Sequence, residues 1–354
     1  MPYGEPMEPL NEPFLTSDLP GIGGRMRSVP EDFQVEERPL YLPCGEGEHL
    51  YITITKRGLS TPDLVRRLSS TLGIKAQAIG VAGLKDARAV TTQMISLQGV
   101  SPEQVASLSV DDTILNVTVL GRHRNRLRTG HHAGNRFHLT IREVAGHAKD
   151  TAPVILEQLT RRGVPNYFGP QRQGKDGTNY QTGAALLHDA RRREKMNRNQ
   201  RIWYLNTYQS FLFNRILARR IDQIDRLFIG DWAMKQDNGA CFQVDDAEKE
   251  QPRADRFEIS PTGILFGSRV SWAGGEPGVI EETVITEAGA TKDVLITAAK
   301  ACGFRGERRA LRVPLTELVW SLNQNILTLS FSLPPGAYAT SVLRELMKPS
   351  QSTP

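Results

Sequence analysis

The chain has 354 residues, of which 39% are hydrophobic and 23% charged, and its net charge is +5 at neutral pH. This composition is typical of a soluble globular protein with room for two domains, and no run approaches the roughly 20 apolar residues that a bilayer span requires. The three cysteines are too widely spaced for a disulfide framework or a C-x-x-C metal site. Because the N-terminus also lacks the pattern of a signal peptide, we expect a cytoplasmic protein without a membrane partner.

Prolines are concentrated at the start of the chain. Five of the first 20 residues are prolines, which oppose regular structure, and the last six residues form a small, polar tail. We therefore predict flexible segments over residues 1–20 and 349–354.

A strand followed by a helix is predicted next. Leu50, Ile52 and Ile54 alternate with Tyr51, Thr53 and Thr55 as they would in a strand. The helix is predicted to have Thr61 as its N-cap and to stop at Gly73. Its apolar face consists of Leu64, Val65, Leu68 and Leu72.

Asp86 lies in a short charged connection between two predicted strands. One apolar run ends at Val81, and residues 90–95 alternate with a period of two, which indicates a half-buried strand. Lys85 and Arg88 flank the acid with positive charge, which favours its ionised form. A carboxylate presented in this way can act as a nucleophile or a base, whereas the alternative is an ordinary solvated turn residue.

Basic residues are concentrated in two stretches, which suit a polyanionic partner, although many such clusters are only solvated surface. The first stretch contains Arg122, His123, Arg124, Arg126, Arg128, His131 and His132. The second contains Arg191, Arg192, Arg193, Lys195, Arg198 and Arg201. The first leads directly into Gly134-Asn135-Arg136-Phe137, and this combination of cations with an aromatic suits RNA, whose unstacked bases need a planar partner.

The middle of the chain is predicted to be largely helical. Further strands are predicted over residues 113–120, 136–143 and 326–333, but between about 150 and 310 the apolar residues recur at helical spacing. Asp150 or Thr151 is expected to cap one helix, which ends at Gly163. A second helix buries Leu205, Tyr208, Leu212, Phe213, Ile216 and Leu217. Its polar residues Asn206, Gln209, Ser210 and Asn214 are interpreted as a solvated face.

Several short blocks follow one another in a characteristic order. They are PEDFQVEE at 30–37, GEHL at 47–50 with KRG at 56–58, GLKD at 83–86, GNRF at 134–137, VPNYFGPQR at 164–172 and AYATS at 337–341. In this order they resemble the TruD family of tRNA pseudouridine synthases, from about residue 25 to about residue 348.

The resemblance implies an α+β fold, in which a mixed, mostly antiparallel pseudouridine-synthase sheet with flanking helices is interrupted by an inserted α/β domain. We accordingly predict a discontinuous catalytic domain over residues 21–150 and 311–348 and an inserted domain over residues 151–310.

The resemblance also implies the reaction, which is the isomerisation of uridine to pseudouridine in tRNA, at the D-arm uridine conventionally numbered 13. Asp86 is the only acid in the matching Gly-x-Lys-Asp block and so takes the role of catalytic carboxylate. Whether it attacks C6 of the base, attacks C1′ or removes a sugar proton is left open. The reaction requires neither metal nor organic cofactor, so none is expected, and we expect a monomer whose partner is tRNA.

Three further residues are assigned to the pocket by the resemblance. Arg27 occupies the family's basic position and is expected to pair with Asp86, Phe137 replaces the tyrosine of most other pseudouridine synthases, and Asn135 lies beside it. The alternatives are a surface arginine for Arg27 and an inward-facing strand residue for Phe137.

The block at 164–172 has two interpretations of equal weight. Either it grips RNA through Asn166, Tyr167, Phe168, Gln171 and Arg172, or it is a structural turn around Gly169 and Pro170. Gln173 departs from the family, which usually has phenylalanine there.

Two rival functions are a non-catalytic RNA-binding protein and another base-flipping enzyme, such as a methyltransferase. The second has no cofactor-binding glycine loop to support it.

Overall fold

The computed structural model describes residues 12–108, 110–174 and 176–348. It divides this part of the chain into two compact units. The sheet unit consists of Gly21–Pro153 and Leu315–Ala339 with residues 347 and 348, and the inserted unit consists of Val154–Pro314 with residues 12–20 and Thr340–Leu346.

The strands and helices of the described residues are numbered in chain order. The strands are β1 (Arg25–Met26), β2 (Phe33–Pro39), β3 (His49–Arg57), β4 (Ile79–Val81), β5 (Val90–Gln98), β6 (Ile114–His123), β7 (His132–Arg142), β8 (Val164–Pro165), β9 (Trp232–Lys235), β10 (Cys241–Gln243), β11 (Ile259–Leu265), β12 (Glu307–Ala310), β13 (Arg312–Val313), β14 (Thr316–Asn323) and β15 (Ile326–Leu333). The α-helices are α1 (Thr61–Leu72), α2 (Pro102–Ala106), α3 (Ala148–Arg162), α4 (Asn179–His188), α5 (Ala190–Lys195), α6 (Arg198–Arg220), α7 (Ala247–Asp255), α8 (Gly275–Glu287), α9 (Lys292–Cys302) and α10 (Ala339–Met347). Single 3-10 turns cover Pro30–Asp32, Ala76–Ala78, Pro170–Gln173 and Ile221–Gln223.

One mixed sheet forms the sheet unit. Its strand order is β14-β15-β7-β2-β5-β3-β6, while β1 pairs with β7 and β4 pairs with β5. Every pairing is antiparallel except that of β2 with β5, which is parallel. The predicted α+β fold with a mixed, mostly antiparallel sheet is confirmed.

The predicted helix after β3 is present, but its cap lies one residue earlier than expected. Ser60, not Thr61, accepts the backbone N–H of Asp63, and Gly73 ends the helix in the left-handed conformation with φ 65°. The buried hydroxyl of Thr61 donates to Gln93 Oε1 at 2.9 Å and accepts the backbone N–H of Lys85 at 2.8 Å, so its oxygen bonds a distant segment and not the start of the helix. Leu64 and Leu68 are fully buried in the apolar core that α1 shares with β3.

The strand predicted to be half-buried is buried on both faces. β5 is an internal strand with β3 on one side and β2 and β4 on the other, and its polar residues Thr91, Gln93 and Ser96 are as buried as its apolar ones. Alternation of polar and apolar residues misled the prediction because both sets lie inside the protein, where Gln93 Oε1 accepts from the Thr61 hydroxyl and the Ser96 hydroxyl accepts the N–H of Leu127.

In the inserted unit, the four-stranded sheet β10-β9-β11-β12 and the pair β13-β8 accompany helices α4 to α9. The apolar face predicted for α6 is buried, but the interpretation of its polar residues as solvated is wrong for three of them. Gln209, Ser210 and Asn214 are buried, because each has an internal partner. Gln209 donates to the carbonyl of Phe266 at 2.8 Å, and the Asn214 amide bonds both the N–H and the carbonyl of Phe168 at 2.9 Å.

The predicted flexible segments lie partly outside the described residues, which exclude 1–11 and 349–354. Within the described part of the first segment, the backbone N–H groups of Leu15 and Thr16 donate to the Glu345 carboxylate at 3.0 and 3.2 Å, so this portion is anchored. Helix α3 begins at Ala148, two residues before Asp150 and three before Thr151, the two residues predicted as its cap. None of the described helices combines the length and the apolar character that crossing a membrane would require.

Candidate active site

Asp86 lies in the loop between β4 and β5, and its side chain is 49% exposed. Its Oδ2 lies 3.0 Å from Nη1 of Arg27, and its Oδ1 accepts the backbone N–H of Arg88 at 3.2 Å. The carboxylate is thus held by two partners and still open to solvent. The structure brings together the two residues that the sequence analysis expected to pair.

Arg27 is held in place by its backbone and by an aromatic ring. It follows β1 directly and has φ 56°, a left-handed conformation that costs a non-glycine residue about 1 kcal/mol. Its guanidinium carbon lies 4.2 Å from the centroid of the Phe33 ring, which is a cation–π contact. Five other non-glycine residues of the described chain share this conformation, so the contact with Phe33, and not the backbone strain, distinguishes Arg27.

Phe137 stands in a row of aromatic rings on β2, β7 and β15. Its ring centroid lies 6.3 Å from that of Phe33 and 5.4 Å from that of Phe331, and only 6% of the residue is exposed. The structure therefore favours the inward-facing alternative for Phe137. The row leads from Phe331 through Phe137 to Phe33, against which Arg27 packs.

Asn135 reaches the site through Lys85, the residue before Asp86. The Lys85 ammonium lies 2.7 Å from Glu37 Oε2 and donates to Asn135 Oδ1 at 2.8 Å. Glu37 Oε1 accepts the backbone N–H of Met94 at 3.1 Å, and the Glu37 side chain is fully buried. This buried ion pair fixes the start of the Asp86 loop against β2 and β7.

His132 lies near the ion pair of Lys85 and Glu37. Burial lowers its pKa, and the nearby charge of Lys85 lowers it further, while Glu37 opposes this effect. The imidazole is therefore neutral at neutral pH, and it does not add to the positive charge of the first basic stretch.

Gly134 explains why the GNRF block begins with glycine. It has φ 140°, and a Cβ built there would lie 2.4 Å from the carbonyl oxygen of Leu333 on β15. We expect Gly134→Ala to destabilise the protein by about 2 kcal/mol or more, because the clash adds to the backbone strain. Gly99→Ala is the matched control, since Gly99 has φ 72° but open space, and it should cost about 1 kcal/mol. Urea unfolding of both variants measures the difference, and equal costs would contradict the proposed clash.

The arginines of the first basic stretch bind the protein itself more than the sequence analysis expected. Arg122 donates to the carbonyl of Val100 at 3.4 Å, Arg126 donates to that of Ile79 at 2.5 Å, and Arg124 forms an ion pair with Glu46. Arg128 is exposed. Two of the four arginines predicted to bind RNA, Arg122 and Arg126, thus donate to neighbouring backbone, in the loop after β5 and at the start of β4.

The block at 164–172 lies in the inserted unit and is largely a structural turn. Asn166, Tyr167 and Phe168 are buried, and the Asn166 amide donates to the carbonyl of Ala310 at 2.9 Å. The structure therefore favours the structural interpretation for these three residues over RNA contact. Gln171 is exposed.

Arg172 and Gln173 both bond to α6. Arg172 Nε lies 3.3 Å from the Ser210 hydroxyl, and Gln173 Nε2 donates to the carbonyl of Thr207 at 3.1 Å. The residue that departs from the family thus donates a hydrogen bond to the helix backbone.

The second basic stretch covers residues 190–201, in α5 and the start of α6. Its six cations and one anion give a net charge of +5, which equals the formal charge of the whole chain. Arg191, Arg192, Lys195 and Arg198 are exposed, and within the described residues none of them pairs with a carboxylate. Trp203, one turn further along α6, is 47% exposed. We call these five residues the α5–α6 surface.

Four residues that support the site were not predicted from the sequence to do so: Lys56, Thr61, Glu37 and Lys85. For Lys56 a signal was present, since it continues the alternation of Leu50, Ile52 and Ile54 and so points a lysine into the core. In the part of the chain that the structure describes, no three His, Cys, Asp or Glu side chains are grouped so that they could hold a metal ion.

Comparison with known proteins gives consistent matches over nearly the whole chain. The family model described as tRNA pseudouridine synthase D (TruD) matches residues 10–194 and 188–346. The tRNA pseudouridine synthase D of Syntrophotalea carbinolica is 41% identical over 95% of this chain and 98% of its own length. The tRNA pseudouridine synthase D of Thermus thermophilus is 43% identical over 96% of this chain and 93% of its own length. A crystal structure from Methanosarcina mazei, described as a candidate tRNA pseudouridine synthase D, superposes with a TM-score of 0.80 and 25% identity, covering 94% of this chain and 95% of that one.

Proposed function

Because the chain belongs to the TruD family of tRNA pseudouridine synthases, we propose that it isomerises uridine 13 in the D-arm of tRNA, with Asp86 as its catalytic carboxylate and without a cofactor. The family assignment makes the chain an RNA-modifying isomerase. The position of the uridine, the role of Asp86 and the independence from cofactors are the parts that we propose.

The observation that carries the proposal is the ion pair between Asp86 and Arg27. Asp86 has 49% of its side chain exposed and is aimed by a guanidinium that is itself fixed by Phe33. An ordinary surface turn residue has no need of an arginine whose guanidinium is packed on an aromatic ring. The arrangement supports a carboxylate that must meet a substrate in one orientation.

The proposed reaction requires few chemical groups other than such a carboxylate. The bond between N1 of uracil and C1′ of ribose breaks, the base turns, and a bond between C5 and C1′ forms, while C5 loses a proton and N1 gains one. Atoms and charge balance without an oxidant, so a nucleophile or base beside the sugar is sufficient in kind. Asp86 would be the reacting group in each of the three possible first steps, which are attack on C6, attack on C1′ and removal of a sugar proton.

The substrate must also be held by its phosphates, and the α5–α6 surface suits this task. Its exposed cations can replace phosphate counterions, and Trp203 offers a ring to an unstacked base. The reaction requires a base outside its stack, which RNA-modifying enzymes accommodate by stacking and hydrogen bonds.

Replacing Arg191, Arg192 and Arg198 together by glutamine is expected to weaken tRNA binding and to reduce the salt dependence of that binding. Three lost phosphate contacts should lower the slope of log affinity against log salt concentration by about 2 to 3. Arg219→Gln is the control, because Arg219 lies on α6, as Arg198 does, but is paired with Glu287. Filter binding over a range of salt concentrations measures both, and an unchanged slope in the triple variant would place the phosphate contacts elsewhere.

The proposed reaction is tested on an unmodified tRNA transcript. Incubation with the purified protein, with and without a chelator, followed by chemical mapping of pseudouridine, should show one modified position, uridine 13, under both conditions. Modification at another position would correct the substrate assignment, and activity lost with chelator would contradict independence from metal. A protein that binds the transcript but modifies no position would support the RNA-binding alternative.

A further inference from the structure

The backbone of the Asp86 loop is bonded to one short segment, residues 56–61, which joins β3 to α1. The N–H of Lys85 donates to the Thr61 hydroxyl at 2.8 Å. The Lys56 ammonium donates to the carbonyl of Asp86 at 3.4 Å, and the N–H of Gly58 donates to the carbonyl of Ala89 at 3.2 Å. The segment therefore bonds the backbone of the loop at three points: before Asp86, at Asp86 and after it.

Lys56 is an unusual member of this segment because its side chain is completely buried. Its ammonium donates to the carbonyl of Leu59 as well as to that of Asp86, and within the described residues it has no ion pair with a carboxylate. Burying a charged amine without a carboxylate partner costs free energy that the two carbonyl bonds offset only in part. A methionine of similar length would fill the space without that cost.

We propose that Lys56 and Thr61 are positioning residues for the reaction, which act by clamping the backbone of the Asp86 loop so that the carboxylate stays aligned with Arg27 and open to the substrate. This inference rests on the proposed role of Asp86. The clamp holds the loop by its main chain and leaves both carboxylate oxygens to Arg27 and Arg88. Chemistry at Asp86 can then proceed without the loop losing its anchor.

The charge state of Lys56 gives the clamp a pH signature. Burial lowers the pKa of Lys56 to about 8, while the charges of Asp86 and Asp63 raise it and that of Lys85 lowers it. Because this folded-state pKa is below the ordinary value of 10.5, the protonated amine costs stability at neutral pH, and the cost is relieved as the pH rises from about 8 towards 10.5. Lys56 thus weakens the fold under conditions in which it holds the loop.

We expect Lys56→Met to fold with equal or greater stability at pH 7 and to lower kcat by about 100-fold, because small misplacements of a catalytic group have effects of this size. KM should change little, since the clamp does not touch the substrate. In the wild type kcat should fall above pH 8, because the neutral amine donates more weakly to the two carbonyls than the ammonium does, and this fall should be absent in Lys56→Met. Lys75→Met, at an exposed lysine of the same unit, is the control and should match the wild type.

Thr61→Val provides a second test, because valine has nearly the same shape as threonine but lacks the hydroxyl. This test applies even if Lys56→Met does not fold. It should lower kcat and should accelerate hydrogen exchange at the amide of Lys85, which loses its acceptor. Exchange in the peptide spanning residues 82–89 is measured without turnover, so it tests the clamp even if the wild type makes no pseudouridine. Wild-type kcat in a folded variant, or wild-type exchange of this peptide in Thr61→Val, would overturn the inference.

Discussion

Asp86→Asn is expected to abolish pseudouridine formation while leaving tRNA binding intact. Asparagine has nearly the same shape and can keep its oxygen on the N–H of Arg88, but its amide is neither a base nor a useful nucleophile. Loss of a carboxylate with a direct chemical role should lower kcat on the order of 10³-fold or more. Single-turnover assays with saturating enzyme measure the chemical step separately from binding.

Asp112→Asn is the control for this substitution. Asp112 is an exposed acid in a loop of the same unit, and its replacement removes the same charge without touching the Asp86 loop. It should retain wild-type kcat. If Asp86→Asn turns over like Asp112→Asn, then Asp86 has no part in the chemistry and the assignment of the site is wrong.

Lys85→Met is expected to have the largest effect on stability, about 3 to 5 kcal/mol. It removes the cation from a completely buried carboxylate, and a buried charge left without a partner is strongly destabilising. Asn135 loses its donor at the same time. The midpoint of urea unfolding, followed by circular dichroism, gives the change in the free energy of unfolding.

Two further variants show whether burial of the Lys85–Glu37 ion pair causes the loss of stability. Adding Glu37→Gln to Lys85→Met should recover much of the loss, because the unpaired charge is then removed. Arg25→Met breaks an ion pair with Glu143 in which both side chains are more than half exposed, and it should cost no more than about 1 kcal/mol. A similar loss in Arg25→Met and Lys85→Met would show that burial of the pair is not decisive.

The parts of the fold that depend on local pattern were predictable. The alternation in β3 and β15 and the helical spacing in α6 gave the right elements, because an apolar face has to be buried whatever lies opposite. The Gly-x-Lys-Asp block indicated Asp86, and the resemblance to the family supplied Arg27, which no pattern near that residue distinguishes from a surface arginine.

What could not be predicted depends on partners far away along the chain. Gln209 and Asn214 were interpreted as solvated because their own helix gives no hint of the carbonyl of Phe266 or the backbone of Phe168. Thr61 was taken for a cap because its bonds to Gln93 and Lys85 join segments that the sequence does not place together. In each case a distant acceptor or donor decides whether a polar side chain is inside or outside.

The parallel pairing of β2 with β5 explains how Arg27 and Asp86 come to share a corner of the sheet. Parallel neighbours enter a sheet from the same edge, and here the first paired residues are Gln34 and Val90. Arg27 lies in the stretch before β2, and Asp86 lies in the stretch before β5. The cation and the anion therefore meet at the same edge of the sheet. Antiparallel neighbours would have carried them to opposite ends, so the shared direction of two adjacent strands brings together residues that are remote in the sequence.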